Sequence, residues 1–163
     1  MEAIVAVYSD WGIGDGNTQP VTLKADRAHF VDVTAHDAVI CGRRTMEDFP
    51  GGKPLKGRHN IVLTKQDIEI PGAEVVHSVE EALTASNKFG RCLVIGGASV
   101  YNQMYPYLDK VYITKINCLP RSEKFFPNLD EDEAWSCSYD GEPLTENGVE
   151  YKFCIYERRR KYR

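Results

Sequence analysis

One carboxylate near the start of the chain stands where hydrocarbon is expected. Leu23, Asp26, Phe30 and Val33 follow one another at spacings of three, four and three residues, which places them on one stripe of an α-helix. A carboxylate on a core-facing stripe is costly unless it is paired, hydrogen-bonded or functional, and burial raises its pKa by opposing the charged form. The alternative is a partly exposed Asp26 in the first helical turn, favoured by the helix dipole. Spacing alone does not decide between the two.

Two further segments combine a strand end with the start of a helix. Gly96 and Gly97 end an apolar run, where glycine lets the backbone approach a phosphate and the helix start supplies N–H donors. An ordinary turn with a positive φ is the alternative, because the GxGxxG spacing is absent. The segment 42–45, GRRT, offers two guanidiniums and a hydroxyl at a helix start. That combination suits an anion, although a solvated basic turn would look the same.

The segment 55–65, LKGRHNIVLTK, adds a possible carboxylate site and a possible phosphate site. Arg58 precedes the apolar run and is able to hold a carboxylate through two hydrogen bonds. Thr64 and Lys65 end that run, and a hydroxyl with a cation suits the 2′-phosphate of NADP better than a free ribose hydroxyl. Taken singly, each of these side chains is more often an ordinary surface residue.

The elements that must position these residues alternate between strands and helices in the first two thirds of the chain. Continuous apolar runs predict strands covered on both faces, as in a parallel sheet. A capping box of Ser78 and Glu81 predicts the start of one helix. The predicted strands are 2–9, 37–42, 59–64, 73–77 and 91–97, and the predicted helices are 23–34, a short one from Arg43, 78–86 and 99–108.

The pattern changes after Asp109. Residues 110–116 and 150–159 predict two longer strands with no good helix between them, which favours an antiparallel hairpin at the edge of the sheet. We therefore expect an α/β fold, a three-layer sandwich with a mostly parallel central sheet, an antiparallel C-terminal edge hairpin and about four helices. Residues 1–163 are expected to form a single domain, with the ligand crevice at the carboxyl ends of the parallel strands.

Composition excludes several classes of protein. The 163 residues are 42% hydrophobic and 27% charged, which suits one domain with a real core and argues against disorder. A net charge of −4 argues against nonspecific binding to nucleic acid or anionic membranes. We expect no membrane span, no signal peptide and, from five irregularly spaced cysteines without CxxC, a cytoplasmic location. The histidines occur singly and predict no metal site: His29, His36, His59 and His77.

Taken in order, the segments resemble the dihydrofolate reductase family. The resemblance runs from the first strand to the last and rests on IVAVYSD with WGIG, Pro20 with LKADRAHF, VICGRRTMED, LKGRHNIVLT, VIGGASVYNQMYP, VYITKI and YKFCIYERR. Each piece is weak alone. The combination of VIGG, a tyrosine four residues on and an upstream GR-x-T is specific.

This resemblance implies an NADPH-dependent oxidoreductase. Members of the family reduce 7,8-dihydrofolate to 5,6,7,8-tetrahydrofolate by hydride transfer to C6 and protonation of N5, which supplies one-carbon metabolism and thymidylate synthesis. Asp26 matches the acid that holds the 2-amino and N3 side of the pterin, and Thr114 matches the threonine that supports this acid. The implied substrate-binding residues are Ile4, Val5, Arg27, Phe30, Phe49, Leu55, Arg58, Ile95 and Thr114, with Arg58 on the α-carboxylate of the glutamate tail.

The resemblance also implies an NADPH site. A cis peptide is expected at Gly96–Gly97, and the loop from Ser9 to Thr22 matches a mobile loop that closes over the nicotinamide. Expected partners are dihydrofolate and antifolate-type small molecules, bound by a monomer, with no nucleic acid or membrane. The implied cofactor-binding residues are Ala6, Ile13, Gly14, Gly42, Arg43, Arg44, Thr45, Leu63, Thr64, Lys65, Ile95, Gly96, Gly97, Ala98, Ser99, Val100 and Tyr101.

Three positions depart from the family pattern. Val21 stands where the family usually has tryptophan after the loop proline, which predicts a looser site around N5. Arg27 replaces a residue that is usually apolar in bacterial members. Ser99 stands where some members place an arginine, so that preference for NADPH would depend more on Arg44 and Lys65.

Two other functions compete with this prediction. A pyrimidine reductase of riboflavin synthesis resembles the same fold and also uses NADPH, but it would need a ribose-phosphate site rather than Asp26 with Arg58. A catalytically weak folate- or nucleotide-binding protein is the second, motivated by Val21. A purely structural role would leave the inward-facing Asp26 and two phosphate-like turns unexplained.

Overall fold

The computed structural model describes residues 1–16, 19–35 and 37–163, so that His36 lies outside the described residues. The described residues form nine strands and four α-helices. The strands are β1 (Glu2–Val7), β2 (Ala38–Gly42), β3 (His59–Leu63), β4 (Ala73–Val76), β5 (Cys92–Gly96), β6 (Lys110–Ile116), β7 (Trp135–Asp140), β8 (Leu144–Glu146) and β9 (Val149–Arg158). The helices are α1 (Lys24–Thr34), α2 (Arg43–Glu47), α3 (Val79–Ser86) and α4 (Ala98–Met104).

All nine strands join one sheet, in the order β4-β3-β2-β5-β1-β6-β9-β7, with β8 paired to β9. The six strands from β4 to β6 run parallel, and β9 pairs antiparallel with β6, β7 and β8. The predicted α/β architecture, with a parallel centre and an antiparallel C-terminal edge, is confirmed. The strands β7 and β8 were not predicted; they lie in sequence between the two strands that we expected to form a simple hairpin.

Helices cover both faces of the sheet. Along β1, Ala3, Val5 and Val7 belong to the core that includes residues of α3 and α4. Ile4 joins a second core, against which Phe30 of α1 packs. Because successive strand residues point to opposite faces, the alternation along β1 fills one layer on each side of the sheet.

The start of α3 is capped nearly as predicted. The Ser78 Oγ accepts a hydrogen bond of 3.1 Å from the Glu81 N–H. The Glu81 carboxylate reaches one residue further back than in the usual box and accepts the N–H of His77 at 2.6 Å. Two donors at the helix start are thereby satisfied.

The five cysteines are free thiols. Cys41, Cys92 and Cys154 are buried as predicted, and burial raises the pKa of Cys41 and Cys92 to about 12. Within the described ranges, no three His, Cys, Asp or Glu side chains are grouped closely enough to hold a metal ion. No helix in the same ranges is long and apolar enough to cross a membrane.

Candidate active site

A cleft opens at the carboxyl ends of β1 and β5 because these two parallel strands separate there. Their register pairs only Glu2 with Leu93 and Ala3 with Val94, whereas β1 stays paired with β6 as far as Val7. The cleft has a volume of about 340 Å³. It lies at the edge of the sheet where α/β proteins commonly bind ligands.

Half of the predicted site residues meet in this cleft. Those that line it are Ile4, Val5, Ala6, Ile13, Asp26, Arg27, Phe30, Thr45, Phe49, Ile95, Gly96, Gly97 and Tyr101. Four further lining residues were not predicted as site residues: Gly16, Gln19, Thr22 and Asp48.

The Asp26 carboxylate lies in the cleft, in the first turn of α1. Its Oδ1 accepts a hydrogen bond of 2.6 Å from the hydroxyl of Thr114 on β6. Burial raises the pKa of Asp26 above its ordinary value of 3.8; the Thr114 hydrogen bond and His29 oppose this rise, and Glu146 adds to it. In the described part of the chain, no cationic side chain forms a salt bridge with Asp26. Both sequence interpretations hold in part, because Asp26 is in the first turn and also faces inward.

Apolar side chains form the walls on either side of this acid. Phe30 of α1, Phe49 after α2 and Ile95 of β5 belong to one hydrophobic cluster and line the cleft. Leu55 packs in the same cluster without bordering the cleft. These walls keep water away from part of the cleft and fit a flat, largely apolar ligand.

The turn between β5 and α4 places two glycines, Gly96 and Gly97, at the cleft, so that only backbone atoms face it there. The Gly96–Gly97 peptide is cis, as predicted. Gly96 has φ +121°, which L side chains rarely adopt. The ring of Tyr101 lies beside it, and the Tyr101 hydroxyl donates a hydrogen bond of 2.7 Å to the Ile4 carbonyl. Burial raises the pKa of Tyr101, so that this hydroxyl keeps its proton and its bond.

Of the GRRT segment, only Thr45 borders the cleft. The guanidinium of Arg43 forms an ion pair with the carboxylate of Glu47, one turn further along α2. Arg44 is exposed. Arg44 is therefore the more available of the two guanidiniums for an anion at this helix start.

Arg58 lies outside the cleft and is held against the last turn of α1. Its Nε and Nη2 donate to the Thr34 hydroxyl at 3.2 and 3.1 Å, and Nη2 also donates to the Val31 carbonyl at 3.2 Å. Its Nη1 donates to the Lys56 carbonyl at 2.7 Å. Arg27, in contrast, is exposed and lines the cleft.

The remaining predicted cofactor residues do not border the cleft. They are Gly14, Gly42, Leu63, Thr64, Lys65, Ala98, Ser99 and Val100. The side chains of Leu63 and Val100 are buried in the core, so they pack rather than face a ligand. Lys65 is exposed at the end of β3, beside Thr64.

The loop that follows β1 is anchored to the start of α4 and, through several hydrogen bonds, to residues 122–126. The Gly14 N–H donates to the Ser122 hydroxyl at 3.1 Å, and the Gly16 carbonyl accepts the N–H of Ala98 at 3.1 Å. Asn17 and Thr18 of the predicted mobile loop lie outside the described residues. The described part of the loop therefore closes one side of the cleft against the start of α4.

Comparison with known proteins agrees with this geometry. Residues 1–158 match the family model described as Dihydrofolate reductase. The chain belongs to the dihydrofolate reductase family. It is 37% identical over 159 residues to a dihydrofolate reductase of Bacillus subtilis, covering 96% of this chain and 93% of that protein. A dihydrofolate reductase of Mycobacterium tuberculosis is 37% identical over 151 residues, 90% of each chain.

A solved structure of the same family has the same fold. The dihydrofolate reductase from Enterococcus faecalis, complexed with NADP(H) and RAB-propyl, superposes with a TM-score of 0.84 at 31% identity. The match covers 96% of this chain and 95% of that one. The family membership and the α/β fold predicted from sequence are thus confirmed, and the comparisons give no support to the pyrimidine reductase.

Val21, which stands where the dihydrofolate reductase family usually has tryptophan, is held by two hydrogen bonds from its backbone to one side chain. The hydroxyl of Tyr8 donates to the Val21 carbonyl at 2.9 Å and accepts the Val21 N–H at 3.0 Å. Tyr8 is buried in the cluster against which Val21 packs. The phenol of Tyr8, directly after β1, therefore fixes the backbone at Val21. The predicted looseness around N5 stays a prediction.

Gln19 is the most informative residue that the sequence interpretation missed. Its side-chain amide donates a hydrogen bond of 3.1 Å to the carbonyl of Ala6, which lies beyond the last pair between β1 and β5. Nothing in the residue type signals this contact. Only its position in the loop over the cleft, directly before Pro20, could have placed it there.

Asp26 should make stability depend on pH. Because the folded-state pKa is raised, the folded chain binds the proton more tightly than the unfolded chain between pH 3.8 and the raised value, and stability contributed by this group falls as pH rises through that window. We expect Asp26→Asn to increase the free energy of unfolding at about pH 7.5, by about 1.4 kcal/mol for each unit of the rise. The gain should shrink towards pH 4.

Urea unfolding of both proteins between about pH 4 and pH 8 measures this difference. Asp32→Asn is the matched control, because Asp32 lies on the same helix, is exposed and does not line the cleft; at the alkaline end of the range Asp26→Asn should gain more stability than this control. A gain for Asp26→Asn that is constant, or that grows towards low pH, would contradict the assignment of a raised pKa.

The Tyr8 hydroxyl should stabilise the loop. We expect Tyr8→Phe to lower the free energy of unfolding by about 1–2 kcal/mol, because Val21 loses a partner for both backbone groups. Limited proteolysis should also cut faster near residues 19–22. Tyr151→Phe is the control: Tyr151 lies in the same cluster, and its hydroxyl has no hydrogen bond within the described residues. Equal effects of the two variants would refute the role of the hydroxyl.

Proposed function

We propose that this chain reduces 7,8-dihydrofolate to 5,6,7,8-tetrahydrofolate with NADPH. The observation that carries the proposal is the Asp26 carboxyl, half-buried in a largely apolar cleft without a salt bridge in the described residues and bonded to the Thr114 hydroxyl. An acid in such a place needs a ligand that supplies N–H donors. The pterin edge, with its amino group and ring N–H, has this chemistry.

The neighbouring residues fit the rest of a folate. Phe30 and Phe49, which both line the cleft, would pack against the pterin and the aminobenzoyl ring. Arg58 would bind the α-carboxylate of the glutamate tail through its Nη1 group, after exchanging the Lys56 carbonyl for the ligand, while Thr34 and Val31 hold the rest of the guanidinium against α1. Arg27, exposed at the cleft, would meet the tail or the solvent beside it. Small antifolate-type molecules with a similar N–H edge would occupy the same place.

On the cofactor side, the backbone leaves room for a dinucleotide. Glycines at 96 and 97 border the cleft with no side chain, and the positive φ of Gly96 disfavours any other residue. NADPH therefore fits here, with Ala6 and Ile13 beside the nicotinamide and Thr45 with Arg44 on the phosphates. Thr64 and Lys65 would receive the 2′-phosphate. When bound, the reduced nicotinamide supplies the hydride.

The protein contributes orientation, exclusion of water and one proton site. Asp26 holds the amino and N3 side of the substrate through its carboxyl oxygens, while Thr114 keeps that carboxyl in place. The raised pKa lets Asp26 hold a proton closer to neutral pH than an exposed aspartate does, which favours protonation of N5. The apolar walls fix the pterin against the nicotinamide and keep water out.

The whole chain, 1–163, acts as a single catalytic domain and works as a monomer. Its product supplies one-carbon metabolism and thymidylate synthesis. The free, buried thiols fit a reducing compartment such as the cytoplasm.

The decisive experiment follows NADPH absorbance with dihydrofolate. We expect Asp26→Asn to lower kcat by about 100- to 10,000-fold, because the proton site is lost, while the Kd for NADPH changes by less than about twofold. Asp32→Asn, on the exposed face of the same helix, should keep the activity of the natural chain. Full activity of Asp26→Asn, or no turnover by the natural chain, would overturn the proposal.

The same assay separates the competing functions. A pyrimidine reductase would oxidise NADPH with the ribosylamino-pyrimidine and not with dihydrofolate. A folate-binding protein without activity would bind dihydrofolate and oxidise no NADPH. Turnover of dihydrofolate that depends on Asp26 excludes both.

A further inference from the structure

The helix that carries Asp26 begins without a cap of its own. Leu23 occupies the N-cap position and provides no side-chain hydrogen bond. The first N–H groups of an α-helix have no partner within the helix, and a polar N-cap side chain usually supplies one. The start of α1 therefore depends on a group from elsewhere in the chain.

That group is the carboxylate of Glu146, which lies more than a hundred residues away in sequence. Its Oε2 accepts the N–H of Lys24 at 2.7 Å, and its Oε1 accepts the N–H of Ala25 at 3.0 Å. These two bonds lower the pKa of Glu146, so that it is ionised at neutral pH. The two carboxylate oxygens of Glu146 thus accept the N–H groups of the two residues directly before Asp26.

A tight turn fixes the position of Glu146. It is the last residue of β8 and pairs with Val149 across a two-residue connection, Asn147 and Gly148, with φ of 51° and 76°. Positive φ at both positions is typical of a type I′ hairpin, whose geometry matches the twist of the strands. The carboxylate is therefore presented by a rigid hairpin and not by a free loop.

The strand after this turn also contacts the other support of the acid. Phe153 on β9 pairs with Thr114 on β6, and its ring stacks on His29 of α1 with the centroids 4.2 Å apart. The strand β9 thus pairs with β8, which carries the capping Glu146, and with β6, which carries Thr114. Its Phe153 also packs against α1. A shift of the β8–β9 hairpin would move the first turn of α1 relative to Thr114.

We propose that Glu146 is a positioning residue for Asp26, which caps α1 from the β8–β9 hairpin and places a second negative charge beside the acid. The proposal rests on the proposed function of Asp26. Glu146 does not line the cleft, so it acts through α1 and through its charge and not by touching the substrate.

The charge around Asp26 fixes the sign of the expected effect. Within the described residues, the groups that act on its ionisation are Thr114 and His29, which favour the charged form, and Glu146, which opposes it. The hydroxyls of Tyr8 and Tyr101 also interact with Asp26 electrostatically. Removing the charge of Glu146 removes the opposing group, so the pKa of Asp26 should fall.

The test replaces Glu146 by glutamine, which keeps the size and one acceptor oxygen. We expect the pKa of the Asp26 carboxyl, measured by carboxyl NMR titration without substrate, to fall by about 0.3–1 unit. In the dihydrofolate assay, kcat/KM of Glu146→Gln should be about two- to tenfold lower on the alkaline side of the pH profile, and it should converge with the natural chain on the acid side. Glu146→Ala, which removes the cap of α1, should lower kcat/KM further.

Glu142→Gln is the matched control. Glu142 is exposed in the connection between β7 and β8, and it has no hydrogen bond or ion pair within the described residues. Its pH profile should match that of the natural chain. A merely structural cap would lower stability in Glu146→Ala and leave the profile of Glu146→Gln unchanged.

The outcomes also separate this inference from the proposed function. Superimposed titration curves for Asp26 in the natural chain and in Glu146→Gln would refute the role of Glu146, even if dihydrofolate is reduced. A shifted titration in a protein that does not reduce dihydrofolate would leave the coupling of the two acids standing and would reject the function.

Discussion

A carboxyl group in an apolar cleft, held by a hydroxyl and by no cationic side chain in the described residues, is the constraint on which this structure depends. Burial raises the pKa of Asp26, because it opposes the charged form, and the hydrogen bond from the Thr114 hydroxyl offsets only part of this rise. A salt bridge in its place would hold the acid ionised and saturate its oxygens. The hydroxyl instead leaves acceptor capacity for a ligand and permits a proton to reside there.

The cleft exists because the sheet is not continuously paired. Where β1 and β5 separate after Ala3 and Val94, backbone groups near the gap bind side chains: Tyr101 binds the carbonyl of Ile4, and Gln19 binds that of Ala6. Buried backbone oxygens need such partners. The same separation therefore creates the space for a ligand and recruits a buried tyrosine and a loop residue to its border.

Much of this could be predicted from local patterns, and the failures have physical reasons. Continuous apolar runs predicted the five strands from β1 to β5, as expected for parallel strands with helices over the sheet, and the longer strands β6 and β9 were predicted from residues 110–116 and 150–159. The spacing of Leu23, Asp26, Phe30 and Val33 predicted α1 and gave an inward-facing acid as one of two alternatives, the other being a partly exposed Asp26 in the first helical turn. The strands β7 and β8 were not predicted, because β7 is mostly exposed and β8 has only three residues. Neither sequence therefore shows the regular spacing of apolar residues that indicates a strand.

The site was only partly predictable for a related reason. Asp26 and the paired glycines were visible because a carboxylate on an apolar stripe and a double glycine at a strand end are locally unusual. Asp48 and Gln19, which line the cleft, have residue types that are common on any surface. Contacts across the fold, such as Glu146 on the start of α1, leave no trace in spacing, because tertiary packing alone brings the two segments together.

The hairpin at the edge of the sheet thereby becomes part of the electrostatics of the acid. The first turn of α1 carries the partial positive charge of the helix start, and two carboxylates share it. Glu146 takes the N–H groups of Lys24 and Ala25, so that less of this stabilisation remains for Asp26, whose charged form is left dependent on Thr114 and His29. Few groups of the protein stabilise the charged form of Asp26. A ligand that brings N–H donors to this carboxylate therefore supplies hydrogen bonds that the fold does not provide, and these bonds contribute to its binding free energy.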